Sequence, residues 1–293
     1  MKVLVIGSEG QIGRCLADQL VDMSEEVILT SRTEIDMTNL RSTKEKIISI
    51  NPNVLINASA YTAVDEAEQN QDDANKTNHL AVANIASVCS ELGCWLIHIS
   101  TDYVFDGFAN HPYGEDAETN PLGVYGNSKL KGELAIKSSG CKYLIIRTAW
   151  VYSEYGNNFL KTMLRLGVDS KELGVVGDQI GCPTYAQDIA KTIVSIISFL
   201  EAHQSASGIY HYCGDEPCSW YDFARAIFLE AEAQGIKTPS TVKSISTIDY
   251  PTPAVRPAYS VLDCSKIQSY FGVTSSSWRG GIKTAIGRLK DQL

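Results

Sequence analysis

Lys2-Val-Leu-Val-Ile-Gly7-Ser-Glu-Gly10-Gln-Ile-Gly13-Arg-Cys-Leu16-Ala-Asp-Gln-Leu20 is the stretch that decides the fold. Val3 to Ile6 is a short, largely β-branched run that suits a buried strand. Glycines interrupt it, and Ile12, Leu16 and Leu20 then recur at helical spacing. Strand, glycine turn and helix make the opening of a βαβ unit. Glycine lets the backbone turn tightly and approach a pyrophosphate, and the helix N-terminus adds free amides and partial positive charge. The spacing is G-x-x-G-x-x-G, and three glycines in seven residues also make a plain turn. Their place at the first strand–helix junction favours the nucleotide reading.

Working outward, Val27–Thr30, Val54–Asn57, Trp95–Ser100 and Tyr143–Arg147 read as further strands. Residues 39–50, Ala74–Leu92 and 125–138 read as the helices between them. This alternation predicts an α/β fold, a Rossmann-type doubly wound parallel sheet covered on both faces. Beyond about residue 150 the rhythm loosens into helices near 185–201 and 220–234, short strands, and loops rich in proline, serine and threonine. Tyr250-Pro-Thr-Pro-Ala-Val-Arg-Pro257 cannot be regular helix, because its prolines remove donors and fix φ. The dinucleotide-binding domain is therefore placed at 1–152 with about 183–201 and 238–262. A smaller, loop-rich substrate region takes about 153–182, 202–237 and 263–293.

With 293 residues, 44% of them hydrophobic, the chain can bury a large core. Its net charge of −9 argues against nonspecific binding of nucleic acid or an anionic membrane, though not against a phosphate held by backbone amides. No apolar run approaches the roughly 20 residues of a membrane span, and the N-terminal run is too short for a signal-peptide core. A cytoplasmic location is expected. Eight scattered cysteines without C-x-x-C spacing then read as reduced, mostly buried thiols.

The end of the second strand reads Leu29-Thr-Ser-Arg32, with no acid before Glu34. An acid there would hold ribose hydroxyls, and an arginine accommodates a 2′-phosphate, so NADPH is favoured and NADH remains allowed. Tyr125-Gly-Asn-Ser-Lys129 puts a phenol and an ammonium on one helix face. A free phenol titrates near ~10, and a neighbouring cation lowers that, making an acid–base useful near neutrality. Thr101 ends the fourth strand, where a hydroxyl points into the ligand crevice and could hold a carbonyl beside Tyr125.

At these residues the chain resembles the extended short-chain dehydrogenases, and more closely the dTDP-4-dehydrorhamnose reductase family. The resemblance runs almost end to end. It includes Asn57-Ala-Ser-Ala-Tyr-Thr-Ala-Val-Asp-Glu-Ala-Glu68, Ser100-Thr-Asp-Tyr-Val-Phe-Asp-Gly107 and Pro121-Leu-Gly-Val-Tyr-Gly-Asn-Ser-Lys129. Arg147-Thr-Ala-Trp-Val-Tyr152, Gly156-Asn-Asn-Phe159, Asp178-Gln-Ile-Gly-Cys-Pro-Thr184 and the Arg256-Pro-Ala-Tyr-Ser segment complete it. It implies transfer of hydride to C4 of a nucleotide-linked keto-deoxysugar, turning dTDP-4-dehydro-6-deoxy-L-mannose into dTDP-L-rhamnose. Tyr125 would donate the proton, Lys129 would tune it and bind the nicotinamide ribose, and Thr101 would hold the carbonyl.

The resemblance further implies a cofactor site of Gly7, Gly10, Gln11, Ile12, Gly13, Arg32, Asp36, Met37, Ala58 and Ala60, joined by Tyr125 and Lys129. It implies sugar-nucleotide contacts from Thr62, Val64, Tyr103, Trp150 and Arg256, the last as a bidentate diphosphate ligand. One departure matters. Some family members carry a glutamate two residues after the last glycine, associated with magnesium and dimer formation, where this chain has Arg14 and Cys15. No metal is expected, and a homodimer stays open. Two other readings remain. One is a reductase of another nucleotide-linked keto-deoxysugar. The other is a non-catalytic regulatory subunit of the methionine adenosyltransferase type, against which the intact Thr101, Tyr125 and Lys129 set stands.

Overall fold

The computed structural model describes residues 1–21, 26–200 and 206–290. The chain runs through β1 (Lys2–Ile6), α1 (Gln11–Leu20), β2 (Glu26–Thr30), α2 (Leu40–Ile50) and β3 (Val54–Asn57). Two short helices follow, α3 (Val64–Ala67) and α4 (Gln71–Asn75), and a π-helical turn at Lys76–Leu80 leads into α5 (Ala81–Leu92). Then come β4 (Trp95–Thr101), α6 (Val124–Ser138) and β5 (Lys142–Thr148). The second half holds β6 (Val151–Tyr152), α7 (Phe159–Asp169), β7 (Glu172–Val176), β8 (Ile180–Gly181), β9 (Thr184–Tyr185) and α8 (Ala186–Leu200). It ends with β10 (Gly208–His211), β11 (Cys218–Ser219), α9 (Trp220–Ala233), β12 (Thr241–Ile245), α10 (Ser265–Phe271) and α11 (Trp278–Lys290).

The main sheet has the order β10-β5-β4-β3-β1-β2 and is parallel throughout. Alternate strand residues face opposite layers, as the pleat requires. Val3, Val5, Ile56 and Ile97 join Leu16 and Leu20 of α1 and Ile189 and Ile193 of α8 on one side. Leu4, Ile6, Leu55 and Leu96 meet Ile47 of α2 and Ile85 and Val88 of α5 on the other. Both faces are covered, which is why the strands read as unbroken apolar runs. The register pairs Ile6 with Thr30 and Asn57, Asn57 with His98, and Thr101 with Thr148. β1, β2 and β3 end level, β4 and β5 run three residues further, and all their carboxyl ends face one rim. A third core, with Tyr152, Leu160, Phe223, Ile227, Trp278 and Ile282, gathers α7, α9 and α11 beside that rim.

Several elements differ from the sequence expectation. Gly208–His211, assigned to the smaller region, is the sixth strand of the main sheet, paired with β5. Thr241–Ile245, assigned to the nucleotide domain, instead pairs with β7 in a separate two-stranded sheet. The helix expected over Ala74–Leu92 begins as α4 and is interrupted by the π turn, which points buried Asn78 inward. There Asn78 accepts from Tyr61 N and donates to Tyr61 O and Ser128 Oγ. Residues 201–205 and 291–293, at the ends of two expected segments, lie outside the described residues. All eight cysteines are free and buried. No helix among the described residues is long and apolar enough to cross a membrane.

Candidate active site

A cleft of about 1110 Å³ opens along the sheet's carboxyl rim, between the sheet and the third core. Its floor is the glycine turn. Gly7 adopts φ +85°, and a Cβ there would strike the backbone of Ser59. A Cβ on Gly13 would lie 2.1 Å from the Gly7 carbonyl oxygen, so α1 can nest on the turn only without one. Gly7, Gly10, Gln11 and Ile12 line the cleft, whereas Gly13 stands behind them as a packing residue. Gln11 Oε1 accepts from Ser153 Oγ at 3.0 Å and from Asn158 Nδ2 at 2.7 Å. Asn158 also caps α7. The Gly-Asn-Asn-Phe segment is thereby tied to the glycine turn, a link the sequence motif alone does not disclose.

Arg32, Ala58, Ala60, Thr62 and Val64 line the same cleft. Asp36 and Met37 do not. Asp36 Oδ1 accepts from Thr38 N and Thr38 Oγ1 within its own loop, and Met37 is buried in the core against α2 and α5.

Gly123 starts α6, and Gly126 lets the helix press against the turn after β4, where a Cβ would come within 2.1 Å of Tyr103 O. This close approach brings Tyr125 to Thr101 and Tyr103. The Tyr103 and Tyr125 rings meet edge-on at 5.6 Å. Thr101 Oγ1 donates to Asp102 Oδ1 at 3.1 Å and accepts from Tyr103 N at 3.2 Å. Burial pushes the Tyr125 phenol up to about 12, the bond with Thr101 works the other way, and the Asp102 charge adds to the rise. Burial also raises the Asp102 carboxyl to about 6, against bonds from Ser260 and Thr101.

Lys129 is buried, one helical turn beyond Tyr125, and its amine is bonded to β4. Nζ donates to Ile99 O at 2.6 Å and lies 3.2 Å from His98 Nε2. Burial lowers its pKa to about 8, with Glu133 pulling the other way. The expected lowering of the phenol by a neighbouring ammonium is therefore not what this arrangement does: desolvation dominates at Tyr125.

Trp150 follows β5 with a left-handed φ of +46°, and its indole stacks on Trp220 at 3.5 Å and 7°. A Cβ on Gly181 would lie 2.5 Å from that indole. Trp220, on the first turn of α9, also lines the cleft; in the sequence only the Ser219 helix cap marks its position. Arg256 lines the cleft too, but its guanidinium forks onto Asp65, at 3.0 and 2.7 Å. That bond and the Ala254 N–H hold the Asp65 carboxyl below its ordinary range. The expected diphosphate ligand thus already has an anionic partner 191 positions away in the chain.

At the position of the missing glutamate, Cys15 is buried. Nearby, Arg288 of α11 pairs with the buried Glu154 carboxylate and stands 3.8 Å from Asp18. Among the described residues no group of three or more potential metal ligands is found.

A family model described as the RmlD substrate binding domain matches residues 1–290. The dTDP-4-dehydrorhamnose reductase of Aggregatibacter actinomycetemcomitans is 46% identical over 96% of this chain and 97% of its own. A solved structure of such a reductase from Clostridium acetobutylicum superposes with a TM-score of 0.92 at 40% identity, covering 99% of this chain and 100% of that one. Another, from Bacillus anthracis and in complex with NADP, gives 0.88 at 34% identity, covering 100% and 99%. Matched over nearly its whole length in sequence and in fold, the chain belongs to the dTDP-4-dehydrorhamnose reductase family.

Proposed function

We propose that this chain is an NADPH-dependent oxidoreductase that reduces the C4 keto group of dTDP-4-dehydro-6-deoxy-L-mannose, forming dTDP-L-rhamnose. The observation that carries the reading is the meeting of Thr101, Tyr125 and Lys129 at the rim of a parallel sheet beside a glycine turn, in a chain of this family. The residues present suit the dinucleotide. Gly7 and Gly10 present bare backbone to the cleft at the N-terminus of α1, and Arg32 is the cation just past the end of β2. NADH remains allowed.

When bound, the nicotinamide supplies a hydride to the carbonyl carbon. Tyr125 keeps its proton across the physiological range because burial opposes the phenolate, so it is a proton donor ready for the carbonyl oxygen. Thr101, bonded to the turn around Asp102, holds the position beside it. Trp150 and Trp220 form an apolar wall of the cleft. Thr62, Val64, Tyr103 and Arg256 complete the sugar-nucleotide side of our assignment. We read the third core, with β7 and β12, as the substrate region, and the main sheet with its helices as the nucleotide domain. The setting we assign is cytoplasmic. A homodimer is compatible with the reading, since every residue it uses comes from one copy.

The test is NADPH oxidation with an enzymatically made dTDP-4-keto sugar, followed by Tyr125→Phe. That change keeps the ring and removes the proton, so turnover falls by about 10²–10⁴-fold while cofactor affinity holds. A folded, cofactor-bound variant turning over at the wild-type rate defeats the assignment and brings the regulatory-subunit reading forward. A UDP-linked keto sugar run in parallel separates the other reductase reading.

A further inference from the structure

His98 is fully buried on β4, below the reactive rim, and its imidazole has a partner at each nitrogen. Nδ1 lies 3.1 Å from Asn57 Nδ2, and Nε2 lies 3.2 Å from Lys129 Nζ. The Asn57 amide has a preferred orientation, because its Oδ1 accepts the Ser59 backbone N–H at 3.0 Å. Its Nδ2 is then a donor toward Nδ1. Nδ1 offers its lone pair, and the ring proton of neutral imidazole sits on Nε2. An ammonium has donors only and would face that N–H as a second donor. A neutral amine accepts the Nε2 proton and still donates to Ile99 O at 2.6 Å. Reversing the chain would turn Asn57 Nδ2 against the Ser59 N–H, donor against donor.

The surrounding charges agree with this order. Burial holds His98 well below its ordinary range, so the ring is neutral, and it lowers Lys129 to about 8, so the amine is neutral above that pH. Glu133, on the same helix, pulls Lys129 toward the ammonium but is matched by Arg147 of β5 and by Ser100 of β4. β3 contributes the neutral Asn57, and the π turn the neutral Asn78. Beyond β4, Asp102 acts on Tyr125.

We propose that His98 is a positioning residue for Lys129, docking it as a neutral amine through an Nε2–H···Nζ hydrogen bond whose direction Asn57 sets. The role rests on Lys129 belonging to the reductase site proposed above. There the amine takes one proton from solvent when it leaves the dock to act as a cation beside phenol and ribose. Its charge thus depends on which partner it faces.

Proton–nitrogen correlation spectra of the full chain, isotope-labelled in its histidines, read the ring tautomer directly. The His98 signals are those lost in His98→Gln. A neutral ring protonated on Nε2 is expected at about pH 9, above the Lys129 value of about 8. A ring protonated on Nδ1, or on both nitrogens, overturns the proposal. Asn57→Asp presents an acceptor to Nδ1 and should switch the ring to Nδ1–H. Nε2 then accepts from an ammonium, and the limb of the pH–rate profile due to Lys129 moves up by about one pH unit. A switched ring with that limb in place, and the rate lowered evenly at all pH values, makes His98 merely structural and also overturns the proposal. The wild-type spectrum needs no turnover, so it decides the docking even if the keto sugar proves not to be the substrate.

Discussion

Arg32 stands at the end of β2 on the lip of the cleft, and the next acid along, Glu34, is occupied. Its carboxylate accepts from Ser31 N and Ser31 Oγ, which holds it below the ordinary carboxylate range. Arg32 is thus left as the cation that an approaching 2′-phosphate would meet at the lip. Arg32→Ala should raise the KM for NADPH about tenfold or more, the scale of a lost hydrogen bond to a charged group of ~1.5–3 kcal/mol, and leave that for NADH within about twofold. Equal changes for the two cofactors would show that Arg32 does not read the phosphate. Gly13 teaches a different lesson at the same scale. The motif marks it as a cofactor residue, yet the Gly7 carbonyl is what excludes its side chain. The glycine spacing is legible in the sequence; which glycine faces ligand and which faces protein depends on how α1 docks.

Among the elements, α6 is legible as a helix over 125–138 in the sequence, but what it buries is mostly polar. Its buried residues are Gly126, Ser128, Lys129, Gly132 and Glu133 together with Ile136. Tyr125, Lys129 and Glu133 lie at successive turns of it, and Glu133 anchors the helix to the sheet. The carboxylate accepts from Arg147 Nε at 3.0 Å and Arg147 Nη2 at 2.7 Å, both side chains being buried. Removing one partner strands an unmatched charge, so Arg147→Met should cost about 3–5 kcal/mol of stability in denaturant unfolding. Adding Glu133→Leu to that variant should recover much of the loss, because the remaining groups match in polarity. A single-variant loss below about 1 kcal/mol, the scale of an exposed pair, would show that the ion pair does not hold α6. The π turn is silent in sequence: Ala74–Leu92 reads as unbroken helix, and only the fit of Asn78 between Tyr61 and Ser128 requires the insertion.

For the molecule as a whole, joining the nucleotide sheet to the third core is partly electrostatic. Asp18 of α1, Glu154 after β6, Gln187 of α8 and Arg288 of α11 converge, with Gln187 Nε2 donating to Asp18 at 2.6 Å. The guanidinium supplies the positive charge this cluster needs, so reductase activity should survive prolonged EDTA treatment. Activity lost on chelation and restored by magnesium would refute that and point to other ligands. By itself the sequence determined the parallel α/β sheet, the glycine turn, and the placing of Thr101, Tyr125 and Lys129 near one rim. These follow from short-range patterns, since strand and helix periods record which residues of a local stretch are buried. Only the tertiary structure decided that β10 completes the sheet and that β12 pairs with β7. It also decided that Trp220 stacks on Trp150, that Asp65 engages Arg256, and that the Lys129 amine turns to His98. Each of these depends on which groups from distant parts of the chain arrive within a few ångströms. A side chain's period places it on a face; hydrogen-bond geometry and desolvation among such neighbours decide where its charge goes.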